Sequence, residues 1–190
     1  MASSKISPIK LRQILITLHL LFAGFMTPAF LLLALSGGLY LIGNKGQTTA
    51  QVINLPVSAT LDFKSKTLDA DVRALLADAG ITHQFEYVKT RGNDKIHLRP
   101  TSRRYIEINQ TKDGLKAAFM TPNFQGKMIE LHKGHGPKLF KLYQKFVALA
   151  LLFVVFGGVL VGLLARPYRR KTVISLTIGT VVFFVLALFA

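Results

Sequence analysis

Three long runs in this sequence carry no Asp, Glu, Lys or Arg: Ile14 to Ile42, Val147 to Ala165 and Val173 to Ala190. Crossing about 30 Å of hydrocarbon takes roughly 20 apolar residues in a helix, and each run is at or near that length. Helices of a soluble core rarely go so far without a charge. The runs therefore predict three transmembrane helices in a 190-residue chain that is 51% apolar. The first run follows a basic flank (Lys5, Lys10, Arg12), as a signal peptide would. Its 29 residues exceed the roughly 7–15 of a signal core, however, and no A-x-A site closes it. A retained helix is expected, starting at Ser7-Pro8 as N-cap and first helical position and running to about Ile42. At a rise of about 1.5 Å per residue, Ile14 to Ile42 spans roughly 43 Å, longer than the hydrocarbon. Pro28 lies in its middle, where it should kink the helix.

Between the first two runs lies a polar segment with its own patterning. Asn44 to Pro56 reads as a linker with a short extended piece, "AQVINLPV". In "TLDADVRALLADAGI", Leu68, Val72, Leu75, Leu76 and Ala79 share one helical face, and Gly80 marks the end. Strands follow in "THQFEYVKT", in "DKIHLRPTSRRYIEINQ" with a break near Pro100 to Ser102, and in "LKAAFMT". "RGND" and "TKDG" are the turns. One helix on an antiparallel sheet makes this segment a small α+β domain. The expected fold class is thus membrane α-helical with an inserted α+β domain, divided as 1–43, 44–138 and 139–190.

The formal charge of +15 is distributed in an informative way. All nine acidic residues fall between Asp62 and Glu130, and against fifteen basic residues they leave Asn44 to Lys138 at +6. The other nine basic residues flank or enter the helices, where they mark topology and meet lipid headgroups. Membrane lipid is therefore an expected partner. Nucleic acid is not: it would want basic residues interleaved with aromatics on one face, and only Arg99, Arg103 and Arg104 approach that. The absence of Cys excludes disulfides, thiolate metal sites and a Cys nucleophile. No H-E-x-x-H, G-x-S-x-G, P-loop or dinucleotide fingerprint is present.

Orientation rests on the basic flanks. Three basic residues precede the first helix, and four lie in "RPYRRK", read as a short loop between the second and third helices. Six (Lys45, Lys127, Lys133, Lys138, Lys141, Lys145) lie near helix ends on the other side. Lys138, Lys141 and Lys145 recur at helical spacing, so their stems can snorkel to the interface. Long translocated segments count less than short loops, which puts the N-terminus inside and the α+β domain outside.

These pieces resemble the PepSY-associated transmembrane proteins, in which a PepSY domain sits between membrane helices. "LHLLFAGFMTPAFLLLALSGGLYL" is similar to that family's first helix, "LHKGHGPKLFKLYQKFVALALLFVVFGGVLVGL" to its Leu-His-x-Gly entry and following helix, and "ARPYRRK" to its basic turn. The resemblance covers most of the chain. It implies a bacterial inner-membrane protein with a periplasmic PepSY-like domain. Larger members include ferric-siderophore reductases that hold haem between helices through paired His. For this chain that implies haem b at His19 and His132, with His135 in addition. The chain departs from the larger members in having three membrane helices and no His in the last. PepSY domains resemble protease propeptide inhibitors, which by analogy suggests protein binding by a sheet edge or face.

The residues themselves leave alternatives open. With the N-terminus inside, His19 and His132 fall at opposite membrane boundaries. One chain then cannot clamp one haem between them, and a bis-His site needs a twin or another subunit. His132 and His135 are three apart, which on a helix is one face. With Glu130 they would make a two-His, one-carboxylate set for Zn²⁺, Cu²⁺ or Fe. The plain alternative is an interfacial landing, since Gly134, Gly136 and Pro137 interrupt the helix, and for His19 it is a neutral imidazole bonded to a neighbouring helix. His83 and His97 are expected at the surface or half-buried, without a role. Gly37, Gly38, Gly157, Gly158 and Gly162 are read as small patches for helix packing, within the chain or against a partner. The leading expectation is a non-enzymatic membrane protein that binds a protein partner or a second copy of itself, and the runner-up is a haem-bearing redox subunit. The topology has a direct check. In spheroplasts Asn93→Cys should react with a membrane-impermeant thiol reagent and Tyr168→Cys should not, and the reverse pattern would invert the orientation.

Overall fold

The computed structural model describes residues 7–56 and 58–189, so Lys5, Val57 and Ala190 lie outside the described residues. Along them run α1 (Pro8–Leu41), β1 (Thr48–Ile53), α2 (Leu68–Asp78), β2 (Tyr87–Arg91), β3 (Lys95–Arg99), β4 (Tyr105–Thr111), β5 (Gly114–Pro122), α3 (Phe124–His132), α4 (Lys138–Leu164) and α5 (Arg166–Phe189). Three of these helices, α1, α4 and α5, are long and apolar enough to cross a membrane. The chain forms two compact units, one from the residues up to Pro28 with those from Lys145 onward, the other from Ala29 to Gln144.

The first unit is all helical. Ser7 opens α1 as expected: its Oγ accepts a hydrogen bond from the Lys10 amide at 3.3 Å, one of the donors a helix start leaves without an internal partner. Helix α1 continues through Pro28. Phe22 stacks on Phe153 of α4 with centroids 6.4 Å apart, and Phe25 meets Phe146 edge-on at 5.9 Å. "RPYRRK" is not the loop the sequence suggested. Arg166 to Lys171 form the first turns of α5, and Ala165 alone separates α4 from α5. The reason is local. Pro167 falls in the opening turn, where a missing N–H costs nothing, and the Ala165 carbonyl accepts from the amides of Tyr168 and Arg169. No residue of α5 is buried.

The second unit is built on a five-stranded antiparallel sheet in the order β1-β5-β4-β3-β2. Strands β2 to β5 form a meander. The extended piece after the first helix becomes β1, paired with β5 from Thr48↔Pro122 to Ile53↔Ala117. The period-two alternation gives the sheet two different faces. On one, Ile96, Leu98, Ile106, Ile108 and Ala117 are buried with Leu68, Val72 and Leu76 of α2 and with Phe63 and Phe85. Burying each large aliphatic side chain contributes about 1.5–3 kcal/mol relative to exposure. Helix α2 is held at both ends. Asp69 Oδ1 accepts from the Val88 amide of β2 at 2.8 Å. Gly80, at φ 68°, lets the Ile81 amide turn back to the Leu76 carbonyl at 2.8 Å. The start of α4 is anchored to β2 rather than simply left to snorkel. The Lys138 amide donates to Glu86 Oε2 at 2.8 Å, and Lys141 lies over the Tyr87 ring, 4.4 Å from its centroid, while donating to its hydroxyl.

Candidate functional site

A short helix absent from the sequence reading decides where His132 and His135 point. Asn123 caps α3, its Oδ1 accepting from the Gly126 amide at 2.8 Å and from the Gln47 amide at 3.2 Å. The helix ends at His132, and Gly134 then takes φ 74°. The His135 amide bonds back to the Glu130 carbonyl at 2.9 Å and the Gly134 amide to that of Leu131 at 3.0 Å. This is the left-handed closure that glycine permits after a helix. His132 therefore belongs to the last helical turn, and His135 lies beyond a reversal of the chain. Their three-residue spacing no longer means one face.

The consequence for the proposed metal set is plain. His135 Nδ1 meets Glu130 Oε2 at 2.8 Å, but His132 Nδ1 meets Ser36 Oγ of α1 at 2.7 Å. Glu130, His132 and His135 do not converge, and among the described residues no three His, Cys, Asp or Glu side chains gather to hold a metal.

His132 instead lines a cleft of about 340 Å³ with Ser36, Gly37, Tyr40, Leu41 and Ile129. Ser36 Oγ lies 2.6 Å from the Leu32 carbonyl, to which its one proton is donated. With that proton donated to the carbonyl, Oγ is the acceptor for an N–H at His132 Nδ1, 2.7 Å away. In the first unit His19 is held the same way. Its Nδ1 lies 3.1 Å from the Val154 carbonyl, which can only accept. Two of the glycines read as packing patches face these rings. A Cβ on Gly37 would lie 3.6 Å from His132 Cε1, and one on Gly158 would lie 3.3 Å from His19 Cε1. A Cβ on Gly162 would press on Thr172 of α5, while one on Gly38 or Gly157 would meet nothing within 4 Å among the described residues.

The polar face of the sheet holds a second group that the sequence reading missed. His97 is buried, only 4% exposed, which corrects the expectation of a surface or half-buried residue. It sits between strands, paired with Lys89 of β2 and Glu107 of β4, and its Nε2 donates to Glu107 Oε2 at 2.8 Å. Lys95 Nζ donates to the other oxygen at 2.9 Å. Farther along β3, Arg99 Nη1 donates to Thr101 Oγ1 at 2.7 Å, and Thr101 donates to Glu130. Arg99 is therefore a buried member of this group, not part of a basic surface. The available signal was the alternation in "KIHLR", which puts Lys95, His97 and Arg99 opposite Ile96 and Leu98. His83 remains half-buried, edge-on to Phe119 at 5.6 Å.

Burial pushes the His97 imidazole down, and the opposing pull of Glu107 does not restore it. His135 is lowered too, first by burial, with Glu130 opposing and Arg99 and Lys133 adding to the fall. Burial raises the Glu107 and Glu130 carboxyls, but their hydrogen bonds outweigh it, from Lys95 and Asn109 and from Thr101 and His135 respectively, and both end below the usual value. Tyr105 is pushed up to about 12 by burial, so its phenol stays protonated. Comparison with family models, with curated proteins and with solved structures finds no match.

All of these lowered groups act on stability with one sign. Where the unfolded chain binds more protons than the folded one, stability falls as pH falls. Unfolded histidine takes up its proton near pH 6.5, while folded His97 does not. Stability is then full above about 6.5 and declines below it, with the two carboxylates adding their loss as pH drops through their lowered values. In urea unfolding of the detergent-solubilised chain, the midpoint at pH 5.5 should lie below that at pH 7.5, and His97→Gln should shrink the difference. A pH-independent midpoint would mean that His97 is not held neutral.

Proposed function

We propose that the chain is a PepSY-like membrane protein without catalytic activity of its own. Its three long helices cross the bacterial inner membrane, with the N-terminus and Arg166 to Lys171 at the cytoplasmic side and the α+β domain in the periplasm. That domain binds a protein partner, and the helices serve as anchor or accessory subunit of a membrane complex. The open edge of β1 carries this reading. It pairs with β5 on one side and ends the sheet on the other, with Val52 80% exposed. An unpaired strand edge is a template for adding another strand. The exposed apolar length of α5 supports contact with lipid or with helices of other subunits. Purified in mild detergent, the chain should retain a stoichiometric protein, and Val52→Asp should lose it. Recovery as a lone monomer from cells in which the protein functions normally would sink this reading.

The second reading is a haem-bearing redox subunit, and the tautomers favour it. A metal-ligating His donates its other ring N–H to a carbonyl, hydroxyl or carboxylate. His19 and His132 both have Nδ1 so engaged, which leaves Nε2 as the nitrogen that would meet iron. The residues that would hold haem are His19 and His132, one imidazole at each site, and a bis-His pair would take its second imidazole from another subunit. Haem held there supplies one-electron chemistry. On this reading, protein made with ample haem shows a bis-His Soret band, His19→Ala and His132→Ala each lower its haem content, and Gly158→Leu does so by displacing His19. A spectrum without a Soret band under those conditions removes it.

A further inference from the structure

The polar face of the sheet and the end of α3 enclose a hollow of about 420 Å³. Four cationic side chains line it, Lys89 and Arg91 from β2, Arg99 from β3 and Lys133 beyond α3, against the one carboxylate of Glu130. Glu130 cannot neutralise them. It is shared among the Thr101 hydroxyl, His135 Nδ1 at 2.8 Å, Lys133 Nζ at 3.7 Å and Arg99 Nη1 at 3.7 Å. Arg99 is held rigidly: its side chain is 9% exposed, its Nη1 is fixed by Thr101, and its Nε is enclosed without a hydrogen-bond partner. Buried charged donors are nearly always bonded, and one fixed beside three further cations calls for an anionic acceptor. The Tyr105 phenol, also in the lining, adds a neutral donor.

We infer that this hollow is a binding site for a phosphate-type oxyanion, recognised by Arg99 at its base and by Lys89, Arg91 and Lys133 around its mouth. Guanidinium groups match the geometry of phosphate oxygens, and lysines contribute as point charges. An excess of three positive charges in the lining favours a dianion over a singly charged carboxylate. The site shares only Lys133 with the His132 cleft and nothing with the β1 edge, and nothing in the functional reading above assigns it.

The test is a titration of the full chain in a non-ionic detergent with inorganic phosphate, at constant ionic strength kept by chloride, read by calorimetry and by thermal unfolding. Saturable binding is expected, weakened at least tenfold by Arg99→Gln and by Lys89→Gln, and unchanged by Lys116→Gln, whose ammonium pairs with Asp113 at 3.1 Å elsewhere on the sheet. Glu130→Gln should tighten it by removing the competing carboxylate. Should Arg99→Gln fail to fold, the exposed Lys89 and Arg91 carry the test alone. Acetate distinguishes the class: saturation by acetate at or below the phosphate concentration overturns the dianion assignment. A response that does not saturate, or is equal in wild type and the lysine and arginine variants, is an ionic-strength effect and overturns the site.

Discussion

Strand β3 has almost no solvent-facing side, and the second unit is organised around that constraint. Ile96 and Leu98 point to the α2 face and are fully buried, while His97 and Arg99 point the other way and are nearly so. A strand buried on both faces cannot leave polar side chains unanswered, because a desolvated charge or donor is costly without a partner. Glu107, on the neighbouring strand, answers His97 and Lys95. Arg99 is answered from the segment after its own strand, through Thr101, and from α3, through Glu130. The position of α3 is thus tied to the sheet by the need to accommodate a buried guanidinium.

The end of α3 then sets the local chemistry. Because the helix closes on Gly134, His135 swings back to Glu130 while His132 stays on the helix and reaches α1. Two imidazoles that are neighbours in sequence thereby enter separate environments, one in a charged polar group and one in an apolar cleft. The cleft abuts Gly37, where an added Cβ would touch the ring at 3.6 Å. The fit is tighter in the other unit, where a Cβ on Gly158 would lie 3.3 Å from the His19 ring. Small residues on these helices lie against the side chains of neighbouring elements.

The helical unit obeys a different economy. Its large side chains are mostly exposed, and α5 buries none of its residues. In water that would be untenable over three helices, since exposed apolar patches of that extent drive association. In hydrocarbon it is the expected state, because lipid tails are as apolar as the side chains. The backbone follows the same logic: continuous helices satisfy their own N–H and C=O groups where no water can.

Much of this was legible in the chain. Length and apolarity determined the three long helices, alternation in Tyr105 to Asn109 and the turns around it marked the strands that became β2 to β5, and the face Leu68–Val72–Leu75–Leu76 with Gly80 determined α2, since each of these signals is local. Tertiary structure decided the rest. The pairing of β1 depends on a strand about seventy residues away, and no pattern within "TTAQVI" states which edge it joins. Helix α3 is too short to show a clear period, and its cap draws in Gln47 from across the chain. "RPYRRK" looks like a loop by composition, yet a proline in an opening turn is as compatible with a helix. The sequence determined that Glu130, His132 and His135 would be close along the chain. Only the left-handed turn at Gly134, with Ser36 and Thr101 waiting on other elements, decided that they would face apart, because side-chain direction follows backbone dihedrals and distant partners rather than spacing.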